Sequence, residues 1–131
     1  MIVLDASAVL ELILETEFGR LVADRIEDPS LALHVPHLLD IEVAHALRRL
    51  VRERVIAPTI ATRALDRLRD LDLDRHEHDS LLDRIWALRD NLGAYDAVYV
   101  ALAEVLSARL VTCDAKMART PGVSRRVELI D

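Results

Sequence analysis

Short apolar runs alternate along this chain with longer segments in which apolar residues recur every three or four positions. A short run that ends at an acid or a turn residue is typical of a buried strand, and the longer spacing is typical of an amphipathic helix. The pattern predicts strands over residues 2–5, 31–35, 109–113 and 127–130, with a possible short strand over 71–73.

Helical spacing fills most of the remaining sequence. Between residues 37 and 54, Leu39, Val43 and Leu50 lie on one stripe, and arginines on the other side form a solvated face. Residues 93–108 form the most apolar helix candidate. The other predicted helical segments are 9–14, 18–26, 57–70 and 81–88, with a short helix or turn over 114–119.

Strands that alternate with helices build a parallel sheet covered on both faces. We therefore expect a three-layer α/β domain with a mainly parallel central sheet of four to five strands. Three glycines and four prolines are the only strong breaks in 131 residues, and no segment has the composition of a linker. One domain over residues 1–131 is the expectation.

Composition restricts the classes of function. An aromatic content of 3% argues against a base-stacking surface, and a net charge of −6 argues against non-specific coating of nucleic acid. No apolar stretch approaches the roughly 18 residues of a membrane-spanning helix. Cys113 is the only cysteine, so no internal disulfide can form, and a reducing cytoplasm is the expected location.

Two acids follow predicted strands at opposite ends of the sequence. Asp5 comes directly after Ile2–Leu4, and Asp114 comes directly after residues 110–113. Each acid alone is also a suitable N-cap for the helix that follows it. Because parallel strands end at one edge of a sheet, where ligands bind in α/β folds, the two acids are expected to converge.

Two further acids lie on predicted helices beside apolar residues. Glu42 borders the apolar stripe of helix 37–54, where a core-margin glutamate with a solvated carboxylate is an equally good interpretation. Asp96 opens the most apolar helix, where an acid also interacts favourably with the helix dipole. Its neighbours one turn on, Tyr99 and Val100, indicate a face that is turned inward.

Carboxylates that converge at one site repel one another unless a cation lies between them. Mg²⁺ and Mn²⁺ are the hard cations that carboxylate and water ligands suit. Such a site is suited to phosphoryl transfer by an activated water. The four acids together therefore indicate a metal-dependent hydrolase.

Four motifs in order resemble those of PIN domains, and most closely those of VapC, the ribonuclease toxins of bacterial VapBC systems. The motifs are residues 3–7 (VLDAS), the isolated Glu42, residues 92–97 (LGAYDA) and residues 110–114 (LVTCD). The resemblance covers residues 2–130. It implies a PIN-like fold and a Mg²⁺- or Mn²⁺-dependent endoribonuclease.

The resemblance also implies a role for each matching residue. Asp5 and Asp96 would be the principal metal ligands, Asp114 would complete the acidic group or bind a second metal, and Glu42 would hold or activate a water. Ser7 and Thr112 match hydroxyl positions that orient ligands or water. The implied partners are a VapB-type antitoxin, a second copy in a homodimer, and structured RNA such as tRNA or rRNA, with no membrane.

Basic residues and histidines add weaker candidates. Arg119, Arg125 and Arg126 follow Asp114 in sequence, and we expect them near the cleft as contacts for substrate phosphates. The segment from His76 to Asp79 is expected to be a solvated loop without metal, because consecutive extended residues point to opposite faces.

Two other functions compete with RNA cleavage. Asp5 with Ser7 faintly resembles the nucleophile motif of haloacid dehalogenase-type phosphohydrolases, for which Lys116 would be the only available lysine. A partner-binding module that retains its acids without catalysis is the other. Binding of Mn²⁺ that depends on the carboxylates distinguishes an enzyme from such a module.

Overall fold

Five strands form one fully parallel sheet in the computed structural model, which describes residues 1–131. The strands are β1 (Ile2–Leu4), β2 (Leu33–Pro36), β3 (Leu73–His76), β4 (Arg109–Thr112) and β5 (Val127–Leu129). Their order in the sheet is β3-β2-β1-β4-β5, so β1 is central and pairs with both β2 and β4.

Seven α-helices flank the sheet, and the expected α/β fold with a parallel sheet is confirmed. The helices are α1 (Ala6–Ile13), α2 (Glu17–Arg25), α3 (Leu38–Arg52), α4 (Pro58–Asp70), α5 (Leu82–Ala87), α6 (Ala94–Val105) and α7 (Ala115–Ala118). A single 3₁₀ turn, Asp79–Leu81, precedes α5. None of these helices has the length and apolar composition needed to span a bilayer.

The core is centred on β1 and α6. All three residues of β1 are buried, and α6 is buried continuously from Ala97 to Ala103. This burial explains why α6 is apolar on all sides instead of along one stripe. Since α6 contacts β1, β2 and β4, its first turn lies beside the ends of the central strands.

The sheet places the end of β1 beside the end of β4. Leu4 pairs with Val111, and the backbone N–H of Asp5 donates to the Val111 carbonyl at 3.2 Å. From β1 the chain crosses to β2 on one side, whereas β4 lies on the other side. The strand order therefore changes direction between β1 and β4, where open α/β sheets form their ligand crevice. We call the edge at which the strands end the carboxyl edge, and the opposite one the amino edge.

The outer strands differ from the sequence prediction in their bounds. Strand β2 begins at Leu33, because the N–H of Leu31 closes a turn onto Asp28, and it includes Pro36 instead of ending before it. Strand β3 is Leu73–His76, whereas residues 71–73 were predicted. Leu71 instead closes α4, since its N–H donates to carbonyls of that helix.

The prediction of a solvated loop from His76 to Asp79 is wrong for both histidines. His76 ends β3, and its Nε2 lies 2.8 Å from Nδ1 of the buried His34. His78 accepts the N–H of Leu38 at 3.0 Å through Nε2 and so caps α3 from a distant part of the chain.

Candidate active site

Asp5 lies at the carboxyl edge, immediately after β1, with only 4% of its surface exposed. Its Oδ1 accepts hydrogen bonds from the Ser7 hydroxyl at 2.7 Å and from the Ala8 N–H at 2.9 Å. Its Oδ2 accepts from the Thr112 hydroxyl. The residue is thus the N-cap of α1 and also a carboxylate fixed in orientation by three donors.

Two hydroxyl groups join the ends of β1 and β4 around this carboxylate. Ser7 Oγ accepts the N–H of Cys113, and Thr112 Oγ1 accepts the N–H of Asp114, both at 2.9 Å. The two hydroxyl oxygens are 3.2 Å apart. Each hydroxyl therefore links Asp5 to the backbone that follows β4, and the position of Asp114 is coupled to that of Asp5.

Asp114 caps the short helix α7. Its Oδ1 accepts the N–H of Lys116 at 2.9 Å, which is the N-cap interaction that the sequence suggested as an alternative. The cap uses one oxygen, and Oδ2 makes no hydrogen bond within the chain. Capping and a place in the candidate site are therefore compatible.

Glu42 lies on the half-buried side of α3 and contacts α6 through a single strong hydrogen bond. The hydroxyl of Tyr99 donates to Glu42 Oε1 at 2.6 Å. Tyr99 is 1% exposed, so its hydroxyl has no access to bulk water. This role for Tyr99 was not predicted from the sequence, although a tyrosine on the buried face of a largely apolar helix generally requires a partner for its hydroxyl.

Asp96 lies in the first turn of α6, three residues before Tyr99. It is half-buried, and its side chain makes no hydrogen bond or ion pair within the chain. The N-cap of α6 is Gly93, which has no side chain to accept the free N–H groups of the first turn. Asp96 is thus a carboxylate without a protein partner.

These four residues, Asp5, Glu42, Asp96 and Asp114, form what we call the acidic cluster. Burial raises the pKa of Asp5 despite its three hydrogen bonds, and the charge of Asp114 adds to the effect. Burial also raises the pKa of Glu42, opposed by the Tyr99 hydroxyl and increased by the charges of Asp96 and Asp5. The pKa of Asp96 is raised by burial and then by Asp114.

No arginine, lysine or histidine forms an ion pair with any member of the acidic cluster. The seven ion pairs of the structure all involve other carboxylates. No three of the side chains converge closely enough to enclose an ion by themselves. Carboxylates at this looser spacing fit Mg²⁺ or Mn²⁺, since such ions retain several waters and are commonly bound through one or two carboxylates.

A groove of about 620 Å³ opens beside the acidic cluster, between α1 and α3. Ser7 and Glu42 line it together with apolar side chains that include Leu10, Leu38 and Ile41. Arg49 also lines this groove. Arg49 is exposed, as expected for the arginines on the solvated face of this helix.

The three arginines that follow Asp114 lie in different places. Arg119 is exposed at the C-cap of α7, the helix that Asp114 caps at its other end. Arg126 instead precedes β5, and its carbonyl accepts the N–H of Leu110 near the start of β4. Arg125 and Arg126 are therefore at the amino edge, contrary to the expectation that sequence proximity to Asp114 places them near the cleft.

The surroundings of Cys113 and Lys116 argue against two other kinds of chemistry, a thiolate nucleophile and an aspartyl-phosphate mechanism. Burial raises the pKa of the Cys113 thiol to about 11, so it is protonated at neutral pH. Lys116 is exposed and makes no side-chain contact with Asp5, whose oxygens are instead held by hydroxyl groups. The arrangement does not supply the lysine that an aspartyl-phosphate mechanism requires.

Comparison with known proteins decides the family. The model of the PIN domain family matches residues 2–123 of the chain. The chain belongs to the PIN-domain family. The resemblance inferred from the four acidic motifs is confirmed by this match.

Curated relatives of this PIN domain align over nearly their whole length. It is 44% identical over 122 residues to "VapC ribonuclease Mb0985" of Mycobacterium bovis, covering 92% of this chain and 91% of the relative. It is 39% identical over 129 residues to "Ribonuclease VapC1" of Mycobacterium tuberculosis, covering 98% and 96% of the two chains. The similarity is therefore not confined to one segment of this PIN domain.

Solved structures share the fold. The crystal structure of PAE2754 from Pyrobaculum aerophilum matches with a TM-score of 0.68 and 26% identity, over 93% of this chain and 81% of the other. VapBC2 from Rickettsia felis, solved bound to a DNA fragment from its promoter, matches with a TM-score of 0.71 over 100% of both chains. At 15% identity the second match shows the fold alone.

Proposed function

We propose that this PIN domain is a VapC-type endoribonuclease that hydrolyses RNA phosphodiester bonds with the help of Mg²⁺ or Mn²⁺. One observation supports this most strongly. Burial and the charge of neighbouring carboxylates raise the pKa of Asp5, Glu42 and Asp96 at the carboxyl edge, and no basic side chain is paired with any member of the acidic cluster. A divalent cation relieves that repulsion, and the similarity to VapC ribonucleases supplies the reaction class.

Asp5 and Asp96 are the proposed metal ligands, and Asp114 completes the negative site or holds a second ion. When bound, the cation would lower the pKa of a water and offset charge on the phosphate oxygens. Ser7 and Thr112 keep the carboxylate of Asp5 in a fixed orientation through hydrogen bonds. This preorganisation matters because a loosely held ligand loses affinity and positional precision.

Glu42 is the proposed acceptor for the proton of the attacking water. A general base is most effective when its pKa is closer to neutrality than that of a free carboxylate. Burial and the neighbouring charges raise the pKa of Glu42, whereas the Tyr99 hydroxyl limits that rise. Tyr99 therefore acts as a positioning residue that sets both the direction and the basicity of Glu42.

The partners follow from the same assignment. We propose that a VapB-type antitoxin binds and inhibits this chain, because a solved structure that shares its fold is a VapBC assembly. A homodimer, structured RNA such as tRNA or rRNA as substrate, and action in the cytoplasm are further parts of the proposal. Residues 1–131 would act as a single PIN domain.

Cleavage of RNA by the Asp96→Asn variant tests this function. We expect the purified chain to cleave structured RNA in Mg²⁺ and to lose activity in EDTA. Asp96→Asn should lower the rate at least about 100-fold while leaving the circular dichroism spectrum unchanged. Asp24→Asn changes the same functional group at an exposed position on α2 and should retain full activity.

Equal cleavage by wild type and Asp96→Asn, or full cleavage in EDTA, would exclude the metal-dependent mechanism. An intact chain that neither cleaves RNA nor binds Mn²⁺ would instead indicate a partner-binding module that retains its acids.

A further inference from the structure

A second cavity, of about 700 Å³, lies at the amino edge of the sheet, away from the acidic cluster. Four of its lining residues are arginines: Arg84, Arg109, Arg125 and Arg126. We call it the arginine cavity. It contains Arg125 and Arg126, two of the three arginines that were expected near the cleft, so their charge requires an explanation at this location.

Two elements fix the distance of this cavity from the acids. Arg109 begins β4, and Asp114 follows its end, so roughly 10 Å of extended strand lies between the two edges. On α6, Glu104 lines the arginine cavity, and Asp96 belongs to the acidic cluster. Their separation of eight positions corresponds to about 12 Å of helix. The two sites are thus separate but lie on one molecule within the reach of a single RNA.

The arginine cavity carries an excess of positive charge in a chain whose net charge is −6. Glu104 is its only lining carboxylate, and it forms a bidentate pair with Arg84 at 2.6 and 3.0 Å. The carboxylate closest to Arg109 is Glu128, at 4.0 Å, and Glu128 is already paired with Arg25 at 2.6 Å. Arg84 is therefore paired, Arg109 shares Glu128 with Arg25, and the other two arginines of the cavity have no carboxylate partner.

Arg125 and Arg126 have no carboxylate within ion-pair distance. Arg126 donates to the carbonyl of Ala108 at 3.4 Å, a long contact that leaves most of its donors unused. Stabilising the end of α6 accounts for one such cation, since a helix C-terminus carries about half a negative charge. It does not account for the whole excess of positive charge.

The chemistry of the lining indicates which ligand fits. Guanidinium groups bind phosphate oxygens through paired hydrogen bonds. The apolar lining residues are Val100, Ala108 and Val123, and no aromatic ring is present on which a base could stack. The rim at Gly122 is open, because nothing lies within 4 Å of the position that a Cβ would occupy. The cavity thus suits an anionic backbone and offers little to a base.

We propose that the arginine cavity binds phosphate groups of an RNA backbone at a distance from the bond that is cleaved. The proposal rests on the proposed function, since it assumes that RNA is the substrate. Contacts of this type position a nucleic acid without reading its sequence. The arginine cavity would therefore favour large, folded RNAs over short fragments that reach only the acidic cluster.

Binding measured without catalysis tests this proposal. Arg109→Gln/Arg125→Gln would be compared with Arg20→Gln/Arg63→Gln, which changes the net charge equally on the exposed faces of α2 and α4. Each pair is placed in the Asp96→Asn background, and a fluorescent tRNA-sized RNA is titrated in EDTA at several salt concentrations. Circular dichroism and Tm verify that every variant is folded.

We expect the Arg109/Arg125 pair to weaken binding about tenfold or more at low salt. A plot of the logarithm of the RNA association constant against the logarithm of salt concentration should also be less steep by about 1.5. Each lost phosphate contact lowers the magnitude of that slope by about 0.7–0.9. The control pair should change affinity less than about twofold, because long-range charge is screened. Equal slopes for the two pairs would overturn the proposal.

Two additional measurements separate the possible causes of failure. In the first, inorganic tripolyphosphate is titrated into wild type and into the Arg109/Arg125 variant. If it binds wild type and binds the variant more weakly, while the salt dependence of RNA binding is unchanged, the cavity is a site for a small polyphosphate. That result would overturn the RNA proposal. Cleavage is assayed separately with an unsubstituted acidic cluster. If Mg²⁺-dependent cleavage is absent but the two arginine pairs still differ in the salt dependence of RNA binding, the proposed enzymatic function is wrong. The proposed phosphate site is then still supported.

Discussion

At the scale of single residues, Asp5 shows how one side chain can serve both the fold and the site. Its three hydrogen bonds cap α1 and join the ends of β1 and β4. Those hydrogen bonds favour the ionised form, but burial outweighs them and leaves the pKa raised. The fold therefore tolerates a carboxylate that a bound cation would stabilise further.

The Tyr99→Phe variant tests the role of the hydroxyl that contacts Glu42. Without this donor the ionised form of Glu42 loses stabilisation, so its pKa should rise further. The acidic limb of the kcat/KM profile should move to higher pH. At pH 6 we expect roughly tenfold lower kcat/KM, with a much smaller loss above pH 8.

The control is Tyr95→Phe, because Tyr95 is the only other tyrosine, is 67% exposed and makes no hydrogen bond through its hydroxyl. If Tyr99→Phe lowers kcat/KM by the same factor at all pH values, Tyr99 has only a structural role. Equal shifts of the acidic limb in both variants would lead to the same conclusion.

At the scale of secondary-structure elements, the packing of α1 against α2 depends on one glycine. A Cβ added to Gly19 would lie 2.0 Å from the carbonyl oxygen of Glu11, which is backbone and cannot move aside as a side chain can. The absence of a side chain therefore lets the two helices approach closely. The helix α1 that this contact holds begins with the residues that surround Asp5.

Gly19→Ala should destabilise the chain by about 1–3 kcal/mol, as overpacking of a tight contact does. This corresponds to a Tm lower by about 5–15 °C in a thermal melt. Gly93→Ser is the matched control, since nothing lies within 4 Å of its added Cβ and serine is a favourable N-cap for α6. If Gly19→Ala melts within 1 °C of wild type, the close approach is not real.

The sequence predicted the elements that carry the acids better than the outer elements. Asp5 and Asp114 could be assigned to one edge because both follow apolar strands, and parallel strands end together. Arg125 and Arg126 follow the same rule in the opposite sense. They precede strand β5, and residues that precede a parallel strand lie at the amino edge.

Contacts between distant segments were not accessible from periodicity. His34 and His76 are 42 residues apart and meet only because β2 and β3 pair in the register that the structure shows. The bond from Tyr99 to Glu42 likewise requires the docking of α6 beside α3. The signal that could have revealed it was a hydroxyl group within the continuous run of apolar residues that follows Asp96.

At the scale of the whole molecule, charge is separated between the two edges of the sheet. The acidic cluster occupies the carboxyl edge, and the arginine cavity, in which Arg125 and Arg126 have no carboxylate partner, lies at the amino edge. An RNA that contacts both edges would meet a cation-dependent site at one and guanidinium groups at the other. The net charge of −6 does not reveal this separation of acidic and basic side chains, which becomes visible only in the fold.

Neutralising one acid should stabilise the metal-free protein at neutral pH. The pKa of Glu42 is raised in the folded state above its ordinary value of 4.5, so its ionisation costs stability at pH 7.5. That cost disappears below pH 4.5, where the carboxyl group is protonated in both states. In EDTA, Glu42→Gln should therefore melt about 3 °C higher than wild type at pH 7.5 and equally at pH 4.

Comparing the two proteins at each pH cancels the opposite contribution of His34. Burial lowers the pKa of that histidine, so its contribution to stability falls as the solution becomes acidic in both proteins alike. A Tm difference that does not change with pH would show that Glu42 is not under electrostatic strain.

Titration of the protein with Mn²⁺ in a calorimeter tests the central claim most directly, because it needs neither the RNA target nor the antitoxin. We predict saturable binding to wild type at pH 7.5, at least about tenfold weaker in Asp5→Asn and in Asp96→Asn. Asp24→Asn, on the exposed side of α2, should bind as wild type does. Absence of binding at millimolar Mn²⁺, or equal affinity in wild type and Asp96→Asn, would contradict the account.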